Sequence, residues 1–196
     1  MAGPTVSEIA STARIILQDA GVRWTDSEMI TWVTDGRRVM AELKPSVFGQ
    51  GSQFTHTLTA GCFQTLGVSG AYALSSIDSN VGGKVIRPAD KNQLDAYRPS
   101  WRNDTATVVD NWFPDTVNPL GFWVYPAAAG KQIIGHMFVT PVPVTGMNDE
   151  ALPFAQYTPI LVNYVLYRAF SKEDEAGSVA KAQAAYTLFT TALAPA

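Results

Sequence analysis

The sequence predicts an α+β protein: a terminal helical bundle built from N- and C-terminal helix pairs, with a small antiparallel β domain inserted between them. Three observations predict it. Two Thr-x-x-Glu capping boxes open helical stripes in the first 45 residues. From residue 46 to 149, glycine and proline become frequent and short β-rich runs replace the stripes. After residue 150 the helical period returns and holds to the end. The expected division is residues 1–45 and 150–196 for the bundle and 46–149 for the insertion.

Thr5-Val6-Ser7-Glu8 opens the first helix, and Val6, Ile9, Ala10, Ala13, Ile16, Leu17 and Ala20 recur on one stripe. Gly21 stands where a C-cap glycine belongs. Thr25-Asp26-Ser27-Glu28 opens the second helix. Met29, Trp32, Val33, Met40 and Leu43 form its apolar stripe, with Gly36 placed for a close neighbour and Pro45 as the stop. The connection is short, so the two helices are expected side by side.

The β-rich runs are Gln53–Thr59, Ala71–Ile77, Lys84–Arg87, Thr107–Phe113, Gly121–Tyr125 and Gln132–Val139, with a short helix over Asp90–Tyr97. Gln53–Thr59 alternates with period two, as a half-buried strand does. Pro153–Phe170 reads as a helix apolar on nearly every side, with Pro159 near a true start or at a kink. Ser171-Lys172-Glu173-Asp174 then has the spacing of a third cap, and acids suit a helix start. Val179, Ala182, Ala185, Tyr186, Phe189 and Leu193 carry the last helix.

Composition narrows the function. With 46% apolar and 16% charged residues the chain can bury a sizeable core. A net charge of −3 and scattered basic residues give no long-range attraction for nucleic acid or anionic membrane. The single cysteine, Cys62, allows no intrachain disulfide and no cysteine-based metal site. MAGPTVSEIA lacks the basic and apolar regions of a signal peptide, and residues 159–170 are about half a bilayer span. A soluble, intracellular protein is expected.

Candidates for chemistry are few. His56 and His136 lie in expected strands, and neither has a nameable nucleophile and orienting partner. Gly67-Val68-Ser69-Gly70 is not a nucleophile elbow, and no phosphate-binding loop, dinucleotide fingerprint or zinc-protease motif occurs. Asn148-Asp149-Glu150 lacks the ligand count of a calcium loop. The expectation is no catalytic residue, no metal and no cofactor. Five Trp, seven Tyr and nine Phe are the other resource. Trp101, Trp112 and Trp123 fall in the β-rich third, where aromatic groups fill a core, bind sugar or present an interface. A carbohydrate- or receptor-binding tail module is therefore the alternative reading, and a small hydrolase is the third.

Four ordered blocks carry a resemblance. They are Leu17-Gln18-Asp19 with Arg23-Trp24, Asp35-Gly36-Arg37-Arg38 and Lys44-Pro45; Leu94-Asp95 with Pro99-Ser100-Trp101; Phe122–Pro126; and Tyr164, Tyr167, Arg168, Ala169, Phe170, Ser171 and Lys172. In these the chain resembles bacteriophage head–tail adaptor proteins, the connector and tail-tubular gatekeepers of short-tailed phages. Residues 46–83 depart from that pattern, with Gly- and Ser-rich sequence in place of a basic-x-x-Leu-Pro strand entry. The resemblance implies a non-catalytic virion subunit at the head–tail junction, assembled in the host cytoplasm. It implies a homo-oligomeric ring, generally dodecameric, that docks on the portal protein, extends the DNA channel and offers an attachment surface to the tail nozzle or other tail proteins. The genome would pass without sequence-specific binding, and no membrane would be involved. Arg37, Arg38, Tyr167, Arg168, Glu173, Asp174 and Glu175 are the candidate assembly-interface residues.

Overall fold

A computed structural model of the chain describes residues 3–49, 51–172 and 178–194. The chain divides into two units, Met1–Gly49 with Pro141–Ala196, and Gln50–Thr140. With five helices and two small sheets rich in antiparallel pairs among the described residues, it is an α+β protein.

The first unit holds α1 (Val6–Leu17), α2 (Asp26–Leu43), α4 (Thr158–Phe170) and α5 (Val179–Leu193). Both capping boxes form. Thr5 accepts from the Glu8 N–H at 3.3 Å while the Glu8 carboxylate accepts from the Thr5 N–H at 3.0 Å. Thr25 and Glu28 do the same for α2 at 3.4 and 2.9 Å. The end of α1 differs from expectation. Gln18, at φ 54°, is the left-handed cap, and Gly21 lies three residues on in the loop. The Asp19 carboxylate sets that loop by accepting from the N–H groups of Gly21, Arg23 and Trp24. Leu43 also leaves its expected stripe and is exposed, while Ala41 is buried in the last turn of α2.

Pro159 lies in the first turn of α4, where its missing N–H costs nothing, so the helix starts there and is not kinked. Leu161, Val162, Tyr164, Val165, Leu166 and Ala169 are buried around its circumference. Helices α1, α2 and α5 all pack against it, which explains a helix without a polar face. Ser171 corrects the sequence reading. Its backbone is helical and its hydroxyl donates back to the Tyr167 carbonyl at 2.7 Å, so it closes α4. The N-cap of α5 is Ser178, which accepts from the Lys181 N–H at 3.4 Å. Asp174, expected to reach back to a cap at Ser171, lies outside the described residues.

In the second unit β1 (Ser52–Thr57), β7 (Gln132–Val139) and β3 (Ala71–Asn80) form an antiparallel sheet in the order β1-β7-β3. A second sheet runs β2 (Phe63–Thr65), β6 (Gly121–Tyr125), β5 (Asn111–Pro114), β4 (Arg87–Pro88), with β4 and β5 parallel. The short helix α3 (Lys91–Tyr97) is capped by Asp90. Residues 107–110 do not pair as strand, and β2, too short to show a period, was not expected. Phe54, Ile77, Val109, Phe122, Ile133 and Met137 belong to the core between the sheets. Gly135 admits the Phe54 ring, because a Cβ there would sit 2.9 Å from that ring and 2.3 Å from the Ser76 carbonyl.

Among the described residues, Gln64 and Asn80 are the buried polar side chains, and each acts as a substitute peptide group. The Gln64 amide accepts from the Thr59 N–H at 2.8 Å and donates to the carbonyls of Thr59 at 3.2 Å and Gly61 at 2.9 Å. Asn80 accepts from the Val109 N–H at 2.9 Å and donates to its carbonyl at 2.8 Å. Both bridge backbone that no regular strand pairing serves. Replacing Gln64 by Leu strands those backbone groups, and a loss of about 2–3 kcal/mol in guanidinium unfolding is expected. A stability unchanged within error would show the amide to be dispensable.

Candidate assembly interface

Four of the candidate residues lie on α2 and α4, Arg37 and Arg38 on the first and Tyr167 and Arg168 on the second. Glycine at position 36 permits a close approach: a Cβ there would lie 2.6 Å from Leu161 Cδ1 and 2.8 Å from the Tyr164 ring. On one side of this contact Arg168 Nη1 donates to Asp35 Oδ2 at 3.2 Å. One helical stretch further, Lys172 Nζ donates to Glu28 Oε1 at 2.7 Å and to the Arg23 carbonyl at 3.4 Å. The Lys172 hydrogen bond is the main reason the Glu28 carboxyl lies below its ordinary value.

Arg37 is half-buried, not on an open face. Its Nη1 donates to the Val142 carbonyl at 2.7 Å and its guanidinium lies 5.9 Å from the centre of the Phe48 ring. Burial pushes this group below its ordinary value, and the nearby Glu150 and Asp149 act in the opposite direction. Arg38 is exposed. Tyr167 is half-buried, with ring centres 5.8 Å from Tyr164 and 4.8 Å from Tyr186, and so ties α4 to α5. Burial pushes the Tyr164 hydroxyl up, opposed by Arg168. Glu173, Asp174 and Glu175 lie outside the described residues.

The middle block of the sequence is also built inward. Trp101 is fully buried, its Nε1 donates to Asp95 Oδ1 at 2.7 Å, and Lys91 and Arg102 pair with the same carboxylate. The Trp101 bond is the largest cause that holds Asp95 below its ordinary value. Phe113, Trp123 and Tyr125 surround the Trp101 ring at 5.3–6.1 Å. Trp101 therefore has no face to offer a sugar. Trp123, half-buried, packs against Phe63 at 4.9 Å.

The histidines do not assemble a hydrolytic set. His56 meets Phe122 edge-on at 5.8 Å, and its buried Nε2 has no hydrogen-bond partner. Burial lowers its pKa, with Gln64 nearby acting the other way. His136 Nδ1 pairs with Asp78 Oδ2 at 2.8 Å, but Ser76 donates to the other oxygen of the same carboxylate at 2.6 Å. The hydroxyl is bonded to the acid and not to the imidazole, the reverse of what nucleophile activation requires. Asp149 is occupied by the N–H groups of Thr145 and Gly146, and Glu150 by that of Gly3. Among the described residues no group of three or more His, Cys, Asp or Glu is placed to hold a metal ion. No helix among them is long and apolar enough to cross a membrane.

What sequence reasoning missed are the partners: Asp35 for Arg168, Glu28 for Lys172 and the Val142 carbonyl for Arg37. No local signal could have found them, because they lie 105 to 144 residues apart.

A family model described as SU10 adaptor protein matches residues 4–196. No curated protein sequence matches the chain.

Two outcomes follow from this geometry. Gly36→Val drives two methyl groups against Leu161 and Tyr164, and a loss of about 1–3 kcal/mol with a lower thermal midpoint is expected. Five carboxylates, Asp19, Glu28, Asp95, Asp115 and Asp149, lie below their ordinary values in the folded chain. For Asp19 burial acts upward, and the N–H groups of Arg23, Gly21 and Trp24 outweigh it. For Asp115 the main cause is the Asn118 N–H, and for Asp149 the Thr145 N–H. Carboxylates depressed by folding add stability above their unfolded value and lose it as pH falls through the folded one. Calorimetry should therefore show a midpoint that drops as pH goes below about 4. A midpoint equal at pH 7 and pH 3 would contradict it.

Proposed function

The chain belongs to the SU10 adaptor protein family, and from that premise we propose that it forms a ring on the portal of a phage head. As a phage adaptor it is a structural component of the head–tail junction that works through portal and tail proteins. The ring extends the DNA channel, and its far side is the attachment surface for the tail. It assembles in the host cytoplasm, and the genome passes through it without sequence-specific contacts. A net charge of −3 supports that passage, because a strongly basic lining would grip DNA.

The observation that carries the reading is the extent of the family match, which takes in both the helical and the β-rich unit. The geometry supports it in a second way. Asp35, Gly36, Arg37, Tyr167 and Arg168 act as internal braces that give the helical unit a fixed outer surface. Arg38 and the acidic run Glu173, Asp174 and Glu175 are the side chains assigned to contacts with portal or neighbouring copies.

Mixing the purified protein with isolated portal rings and imaging the product by electron microscopy tests this directly. A ring stacked on the portal is expected. Portal rings that stay bare at every protein concentration and salt tried would overturn the reading.

A further inference from the structure

The helical unit covers α4 from within, so its contacts with other chains use what the outer helices present. Helix α2 turns charge outward, with Asp26, Arg38 and Glu42 exposed. Helices α1 and α5 do not. Arg14 of α1 is drawn in to Asp26 and the Trp24 carbonyl, which leaves Glu8 as the outward charge beside Ser11, Thr12, Ile15 and Ile16. Ile15 is 78% exposed and Ile16 54%. On α5 Lys181 is the one charged side chain, and Val179, Ala184, Leu188 and Thr191 share the exposed surface, with Leu188 59% exposed. Helices that face water along their length normally carry charge there.

We infer that the outer face of α5 in one copy packs on the outer face of α1 in the next, and that this contact closes the ring. The inference rests on the ring reading above. A cyclic assembly repeats one contact between two different surfaces, so each copy must carry both halves of it. The helical unit carries two such faces, on separate helices. Their outward charges are opposite, Glu8 on one and Lys181 on the other, so the two faces attract. Pairing either face with its own copy would bring like charges together. Ala180 and Ala184 precede Leu188 by two turns and one turn on the same face and let a partner helix come close.

The test uses Ile15→Asp and Leu188→Asp, both at exposed positions where the fold should not suffer, as thermal unfolding will verify. Each variant alone should occupy portal rings about tenfold less than wild type, because a carboxylate is buried unpaired in every contact. Mixed together without portal and chemically cross-linked, the two variants should yield 1:1 pairs that neither forms alone. In such a pair the intact α5 face of Ile15→Asp meets the intact α1 face of Leu188→Asp. If wild type rings form on the portal and both variants form them equally well, this inference fails while the ring reading stands. Self-paired variants, or a mixture without pairs, would also overturn it. So would variant rings that close but no longer dock, since the face would then belong to the portal contact. If wild type forms no ring, the ring reading falls and takes this inference with it.

Discussion

Burial of α4 is the constraint on which the helical unit depends. A thirteen-residue helix with apolar side chains on every side has no stable orientation until three neighbours surround it. Two of these, α1 and α2, come from the first 45 residues and the third, α5, from the end of the chain. The chain ends are thereby committed to one core, with Ile9, Met29, Met40, Leu161, Phe189 and Leu193 fully or almost fully buried in it. Gly36 makes the α2–α4 approach close enough for the Asp35–Arg168 pair to form beside it.

The β-rich unit meets a different constraint, that of backbone left over where short strands end. β2 has three residues and β4 has two, too few to pair all the polar backbone around them. Gln64 and Asn80 supply the missing amide groups from side chains. Around Trp101 the same economy uses charge, since Asp95 receives an indole N–H and two cations at one carboxylate. These devices satisfy polar groups that the short strands leave over.

The residues most distinctive in the sequence, Asp35-Gly36-Arg37, Asp95 with Trp101, and Tyr167-Arg168, are turned into their own units. Their contacts there are internal and brace those units. The exposed faces of α1 and α5 are chemically plain by comparison: alanine, threonine, serine and a few aliphatic groups, with Glu8 and Lys181 as the outward charges.

The sequence determined whatever depends on residues a few positions apart. The caps at Thr5 and Thr25 and the starts of their helices were legible because a cap acts over two or three residues. The alternation of Gln53–Thr57 and the apolar run of α4 were legible for the same reason. Ser171 was not, because a serine between an apolar helix and an acidic run suits either a helix end or a helix start. Only its helical backbone and bond to Tyr167 decided between them. Tertiary structure alone decided the partners, since Arg168 meets Asp35 across 133 residues and Lys172 meets Glu28 across 144. It also decided that Arg37 is a half-buried support and that Trp101 belongs to the core and not to a surface. Local sequence specifies how backbone begins and ends its hydrogen bonding, whereas side-chain burial depends on which distant helix or strand comes to lie over it.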